Sequence, residues 1–288
     1  MHAFLGRTVA CLAILTIGMA VTGPVLAVED LSLDELARRT HIHDLAVDRR
    51  QRDQLLIATH HGLFRTQPGG RVQRVSAIQD LKRFSLDPGN PEQLYASGHP
   101  LAGGNLGLLV SKDLGATWQE ILAGVEARRD YHQVAVSGAD PTRLYVADDV
   151  LRVSTDSGQT WKTTSPLPEG LIDLATSATD PSRIYAATRH GLLRSNDSGK
   201  SWDALIERSP ITMVEVAPDG TLYAFVVGQG LMRRQEDEAE FERVGAGDYY
   251  ILRLATDPAD PQRLFAATHD GSVIASSDGG LSWLPFEG

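Results

Sequence analysis

Cysteine is almost missing from this chain: of 288 residues, only Cys11 is one. It lies in VACLAILTIGMAV (9–21), an apolar run that follows Arg7, the only charged residue in the first 27. Val25-Leu26-Ala27 then offers small residues where a signal peptidase reads, so residues 1–27 are expected to be a signal peptide cut before Val28. The mature chain then holds no thiol, which excludes disulfides and thiolate-bound zinc in the exported protein. Basic residues are also in short supply. Without Arg7 there are 26 against 37 acidic ones, and an excess of that sign repels phosphate backbones, so no nucleic-acid partner is expected. Long apolar runs are lacking as well. The 9–21 segment is too short to favour a spanning helix, so no integral membrane segment is expected in the mature chain, which should be periplasmic or extracellular and monomeric. Collagen-like, coiled-coil, disordered and disulfide-scaffold classes do not fit the composition.

What is there is a repeat. SKDLGATW (111–118), STDSGQTW (154–161), SNDSGKSW (195–202) and SSDGGLSW (276–283) share one pattern, with starts 43, 41 and 81 residues apart. The double gap predicts a degenerate copy at 232–244, and LFRTQPGGRVQRV (63–75) is another. In phase with these, IHDLAVD (42–48), LKRFSLD (81–87), YHQVAVS (131–137), LIDLATS (171–177), ITMVEVA (211–217) and ILRLATD (251–257) align without gaps. Each is followed by a turn, often built on Pro, and a short apolar run such as LYVAD or IYAAT. Six units of about 40 residues, each reading as four short strands, predict an all-β six-bladed β-propeller over residues 42–288. Residues 28–41 form a lead-in, where Ser32-Leu33-Asp34-Glu35 has capping-box spacing and predicts a short helix. No strand is borrowed across the seam in this reading, so closure rests on packing between units 1 and 6, aided by the lead-in.

The pattern S-x-D-x-G-x-[TS]-W resembles the Asp-box, or BNR repeat, and the resemblance covers nearly the whole mature chain. Ser and Asp side chains tie down a tight turn, Gly permits its backbone angles and Trp packs on the sheet. The chain is similar to small exported bacterial proteins often labelled glycosylhydrolase, and to the propellers of sialidases, sortilins and photosystem II assembly factors. That resemblance implies a structural role for the boxes and ligand sites on the opposite face. Sialidases also need three arginines, a Tyr–Glu pair, an acidic Asp and an opening Arg-Ile-Pro motif. Here the corresponding stretch, LFRT, has Arg65 without Ile-Pro, and spacing nominates no Tyr–Glu pair.

Antiparallel order puts the loops between outer and inner strands, and between second and third strands, on one face; the boxes lie on the other. All eight histidines after residue 27 map to the former. Repeat copying explains His60, His61, His190 and His269, which share one turn motif, whereas His43, His99 and His132 come from three different units. His43, His60, His61, His99 and His132 are the candidate ligands for a transition metal ion. The polar equipment of the ligand face is Asp44, Arg83, Tyr131, Asp173, Arg189 and Arg253. The set Asp44, Arg83, Gln133, Asp173, Met213 and Arg253 also reads as a channel-lining ring of self-satisfied ion pairs. The acidic run QEDEAEFE (235–242) reads as a solvated edge, and HPLAGGNLG (99–107) as a rim loop.

These readings point to an exported, non-enzymatic binding or assembly module that holds a ligand, metal or protein partner on its His-rich face. The alternative is a glycoside hydrolase with an atypical catalytic set, for instance Asp44 with Asp173 or Glu169. All four tryptophans close the boxed turns, leaving none for a sugar-stacking platform on the opposite face.

Overall fold

The computed structural model describes residues 31–77, 79–121, 128–245 and 249–288; the expected signal peptide lies outside them. Six antiparallel sheets are arranged in a ring, a β-propeller, and each runs in chain order from an inner to an outer strand. The inner strands are Ile42–Val47, Gln79–Leu86, Gln133–Val136, Leu171–Thr176, Ile211–Val216 and Ile251–Asp257. Second strands such as Leu55–Thr59, Ile184–Thr188 and Thr221–Val226 are buried along their whole length. A strand held between neighbouring blades has no solvent face, which is why these segments read as unbroken apolar runs rather than as alternation.

The four S-x-D-x-G-x-[ST]-W turns join third to outer strands by one hydrogen-bond scheme. In the first, Ser111 Oγ donates to Asp113 Oδ1 (2.7 Å), and the Gly115 N–H donates to Ser111 Oγ (2.7 Å). The Thr117 N–H closes back on Asp113 Oδ1 (2.8 Å). The same bonds recur around Asp156, Asp197 and Asp278. Gly199 has φ +87°, and a Cβ there would lie 2.1 Å from Leu151 Cδ2, so both backbone and packing demand glycine.

Each of the four tryptophans seals one blade-to-blade interface. Trp118 packs between blades 1 and 2, Trp161 between 2 and 3, Trp202 between 3 and 4, and Trp283 between 5 and 6. Blade 5 has no boxed turn, and Phe241 fills the indole's place against blade 4. Its acidic run is not a solvated edge throughout. Glu236 is buried, accepting from the Tyr185 hydroxyl (2.9 Å) and the Ala178 N–H (3.1 Å) of blade 4. Arg234, buried beside it, stacks on the Phe241 ring. Fixed partners across the interface outweigh the hydration that a run of carboxylates normally keeps.

The seam between blades 6 and 1 is closed differently. Leu31–Ser32 adds a fifth strand to the outer edge of blade 1. The helix Leu33–Arg39 follows, its Ser32 cap and Glu35 forming a reciprocal capping box. Leu33 and Leu36 then pack with Phe64 and Val72 of blade 1 and Phe265 and Val273 of blade 6. Seven residues are too few for a stable isolated helix, so this burial stabilises it in place and links the two blades.

Candidate functional site

The inner strands carry a shared irregularity that aims side chains. Register shifts fall between Ile42 and Asp44, Leu81 and Arg83, Leu171 and Asp173, Ile211 and Val214, and Ile251 and Arg253. Such a bulge turns one residue toward the rim and the next toward the channel. The channel residues answer one another. Arg83 is clamped on Asp173 and lies 3.5 Å from Asp44. Asp173 also accepts from the Val214 N–H (3.2 Å), and Asp44 from the Phe84 N–H (3.3 Å). Gln133 donates to the Ile172 carbonyl (2.8 Å), and Arg253 to the His43 carbonyl (2.7 Å). Burial pushes the Asp44 carboxyl up despite Arg83 and pushes Arg253 down. The ring is thus a set of interblade ties.

The ring belongs to a central cavity of about 250 Å³, whose lining continues through Glu215 to Arg49 and Pro218. In this inner-strand slot the other blades carry Ala46, Ser85, Ala135, Ala175 and Ala255. Glu215 is therefore a single carboxyl in a ring of small side chains. Burial first, then the Asp173 and Asp44 carboxylates, push it up to about 8, against the pull of Arg83 and Arg49.

Outside the channel, on the face away from the boxed turns, histidines and acids of blades 1 to 3 form a chain. His43 is a bulge residue, and its Nδ1–H donates to the Leu81 carbonyl (3.0 Å). His60 enters from the loop after the second strand of blade 1, its Nδ1–H donating to Asp80 Oδ1 (3.1 Å). The two Nε2 atoms lie 3.1 Å apart, with the rings edge to face and their centroids 4.1 Å apart. With both Nδ1 positions protonated, each neutral ring presents a lone pair at Nε2. Burial, partly offset by the Leu81 carbonyl, holds His43 below the usual imidazole range. His99 bridges onward, with Nδ1 at 3.3 Å from Asp80 Oδ2 and Nε2 at 3.3 Å from Asp130 Oδ1. Asp130 also meets His132 Nε2 (3.4 Å) and Lys82 Nζ (3.4 Å).

Of the metal candidates, His43, His60, His99 and His132 meet in this chain, and only His43 and His60 oppose nitrogen to nitrogen. His61 is exposed, and its backbone N–H bonds to Thr59 Oγ1 (3.0 Å). Of the ligand-face candidates, Asp44, Arg83, Asp173 and Arg253 belong to the channel ring, and Arg189 stands exposed on the face. Tyr131 is not on the face: it is fully buried between blades 2 and 3. Its slot is that of Ile42, Leu81, Leu171, Ile211 and Ile251, so the repeat itself marks it as a core position. Asp80, Asp130 and Glu215 were missed by sequence reasoning. Asp80 and Asp130 each sit just before the aligned first-strand segment, in the slot of His41, and comparing that slot across units would have found them.

No protein-family model matches the chain. It is 29% identical over 138 residues to an oligoxyloglucan-reducing end-specific xyloglucanase of Emericella nidulans, covering 42% of this chain and 17% of that protein. The fold is similar to that of the GH74 xyloglucanase from Xanthomonas campestris, with a TM-score of 0.60 and 18% identity over 85% of this chain and 45% of that one. It is also similar to YCF48 bound to D1 peptide, with a TM-score of 0.57 and 18% identity over 90% and 84% of the two chains. The chain thus spans less than half the length of the xyloglucanases it matches, and at these identities the structural likeness shows a propeller fold. No helix among the described residues is long and apolar enough to cross a membrane.

Proposed function

We propose that the chain is an exported, non-catalytic binding or assembly module whose ligand face is the His/Asp surface of blades 1 to 3. In this reading the four S-x-D-x-G-x-[ST]-W turns are structural Asp-boxes on the opposite face. The observation that carries it is the engagement of the carboxylates of the channel ring and the His/Asp surface, which leaves the lone channel acid Glu215 without a free carboxylate partner, its neighbours Asp44 and Asp173 being tied to Arg83. Asp44 and Asp173 are held by Arg83, Asp80 is held by the His60 and His99 imidazoles, and Asp130 accepts from Lys82 Nζ with His99 and His132 beside it. A glycosidase needs one carboxylic acid free to protonate a leaving oxygen and a second carboxylate free to act as base or nucleophile. A propeller of this fold holding a D1 peptide, in YCF48, supports the binding role.

The likeness to xyloglucanases supports a second reading as a glycoside hydrolase. Its best carboxylate pair is Asp80 and Asp130, which flank the His99 ring. Incubating the purified protein with xyloglucan oligosaccharides and a panel of chromogenic glycosides separates the two. The binding module releases no product. Turnover that disappears in Asp80→Asn or Asp130→Asn would establish the hydrolase instead.

A further inference from the structure

We propose that a divalent transition metal ion of the zinc, copper or nickel class binds between Nε2 of His43 and Nε2 of His60, with Asp80 as the carboxylate that orients the His60 ring. This rests on the reading of the His/Asp surface as the ligand face and names the chemistry of that face.

Both rings are fixed from behind. The Leu81 carbonyl can only accept, so the His43 proton belongs on Nδ1, and Asp80 Oδ1 places the His60 proton on its Nδ1. The two Nε2 atoms lie 3.1 Å apart with the rings edge to face, centroids 4.1 Å apart, so a cation shared by both needs one ring to swing its Nε2 toward the gap. Tetrahedral zinc, at its usual bond length to imidazole, sets two nitrogens roughly 3.3–3.4 Å apart. The observed spacing is already close to this, and a swing of the half-exposed His60 ring out of its edge-to-face contact completes the seat. A carboxylate behind a ligating imidazole is the usual outer partner of such a site, because it fixes the tautomer and raises the ring's basicity. His43, His60 and Asp80 group with donor atoms within 4.8 Å of one another, Asp80 standing on the Nδ1 side of both rings. The exposed His41 ring, its centroid 5.9 Å from that of His60, is the next imidazole at hand. His99 and His132 do not share this disposition, since their nitrogens face carboxylates.

His60 is close to half exposed, so an ion held here keeps positions open to solvent. A bound partner would therefore supply a metal-coordinating group, a carboxylate or an imidazole, rather than a sugar ring to stack.

The test uses the chain from Val28 onward, stripped of metal and titrated with zinc chloride by calorimetry and with copper(II) by electron paramagnetic resonance. We expect one ion per chain, with nitrogen hyperfine structure from two imidazoles in the copper spectrum. His43→Ala and His60→Ala should each weaken binding by at least about 100-fold, while Asp80→Asn should weaken it about 10-fold and shift the copper spectrum. His190→Ala, an exposed histidine elsewhere on the same face, should change nothing. The copper spectrum of the unmutated chain tests the proposal even where a variant fails to fold. Zinc binding that survives in the His43→Ala, His60→Ala double variant would overturn it, as would no binding at all, which would leave the two rings sharing a proton. The glycoside assay separates this from the functional reading. Turnover with the ion in place defeats the non-catalytic module and spares the site, whereas neither metal nor turnover does the reverse.

Discussion

Replacing Glu215 by Gln should stabilise the propeller, and more so as pH rises. Glu215 faces the channel where five blades place alanine or serine, and its carboxyl is pushed from 4.5 up to about 8 by burial and by Asp173 and Asp44. Its proton is therefore taken up on folding between those two values. The stability linked to it is fully present below pH 4.5 and is lost as pH rises to about 8. One pKa unit corresponds to roughly 1.4 kcal/mol, so the unscreened limit for a fully charged Glu215 is about 4–5 kcal/mol. Water in the channel screens part of that, and about 2 kcal/mol is the expected net penalty in alkaline solution. Gln keeps the shape and removes the charge. Thermal unfolding should therefore show a Tm difference near zero close to pH 4 and about 4–8 °C close to pH 9. Parallel Tm profiles for the two proteins would refute the reasoning, since a difference independent of pH cannot come from that titration.

Three further outcomes follow from the packing. Leu36→Ala, at a position 1% exposed in the seam, should cost about 2–5 kcal/mol and speed hydrogen exchange first in blades 1 and 6. Glu236→Ala strands the Tyr185 hydroxyl and the Ala178 N–H, at about 1–3 kcal/mol for each group left unpaired. In a double-mutant cycle by urea unfolding, Glu236→Ala and Tyr185→Phe should show coupling of about 0.5–3 kcal/mol. In the boxed turns, bonds from Thr160, Ser201 and Ser282 hold Asp156, Asp197 and Asp278 at about 2. Their contribution is present above the ordinary carboxylate range and is lost as pH falls toward that value, so Asp156→Ala should flatten the acid limb of a pH–Tm profile.

The repeat made the fold legible. Six aligned inner strands, their turns and the apolar runs after them are set by short-range periodicity, and that survives even where a box is lost. The loss itself was read as a degenerate copy at 232–244 whose acidic run is a solvated edge. That Phe241 would take the tryptophan's place, and that Glu236 would turn inward to Tyr185, depends on an interface between blades that local patterning does not contain. The site was legible in part. His43, His60, His99 and His132 could be gathered on one face from topology, because the direction of each strand follows from its number in the unit. Tyr131 was misplaced because it was taken for its polar tip, when its slot is apolar in every other blade. Which nitrogen faces which depends on the bulge at His43 and on the Leu81 carbonyl of the next blade.

Three slots facing away from the boxed turns show why the chemistry is confined to half the ring. In blades 1 to 3 they hold His41, His43 and His60, then Asp80, Lys82 and His99, then Asp130, His132 and Asp149. In blades 4 to 6 the same slots hold Gly170, Ile172 and Arg189, then Pro210, Thr212 and Val227, then Tyr250, Leu252 and His269. The backbone positions are equivalent, so the contrast comes from side chains alone. Every first-half slot is titratable, while most of the second half is apolar or small. A chain of close-set imidazoles and carboxylates is sustained only where neighbouring blades both supply members, since an isolated buried acid or histidine would lose its hydration without gaining a partner. Continuity across blades 1, 2 and 3 is therefore what sets Asp80 and Asp130 on either side of His99, and what leaves His43 and His60 held from behind with their Nε2 atoms 3.1 Å apart.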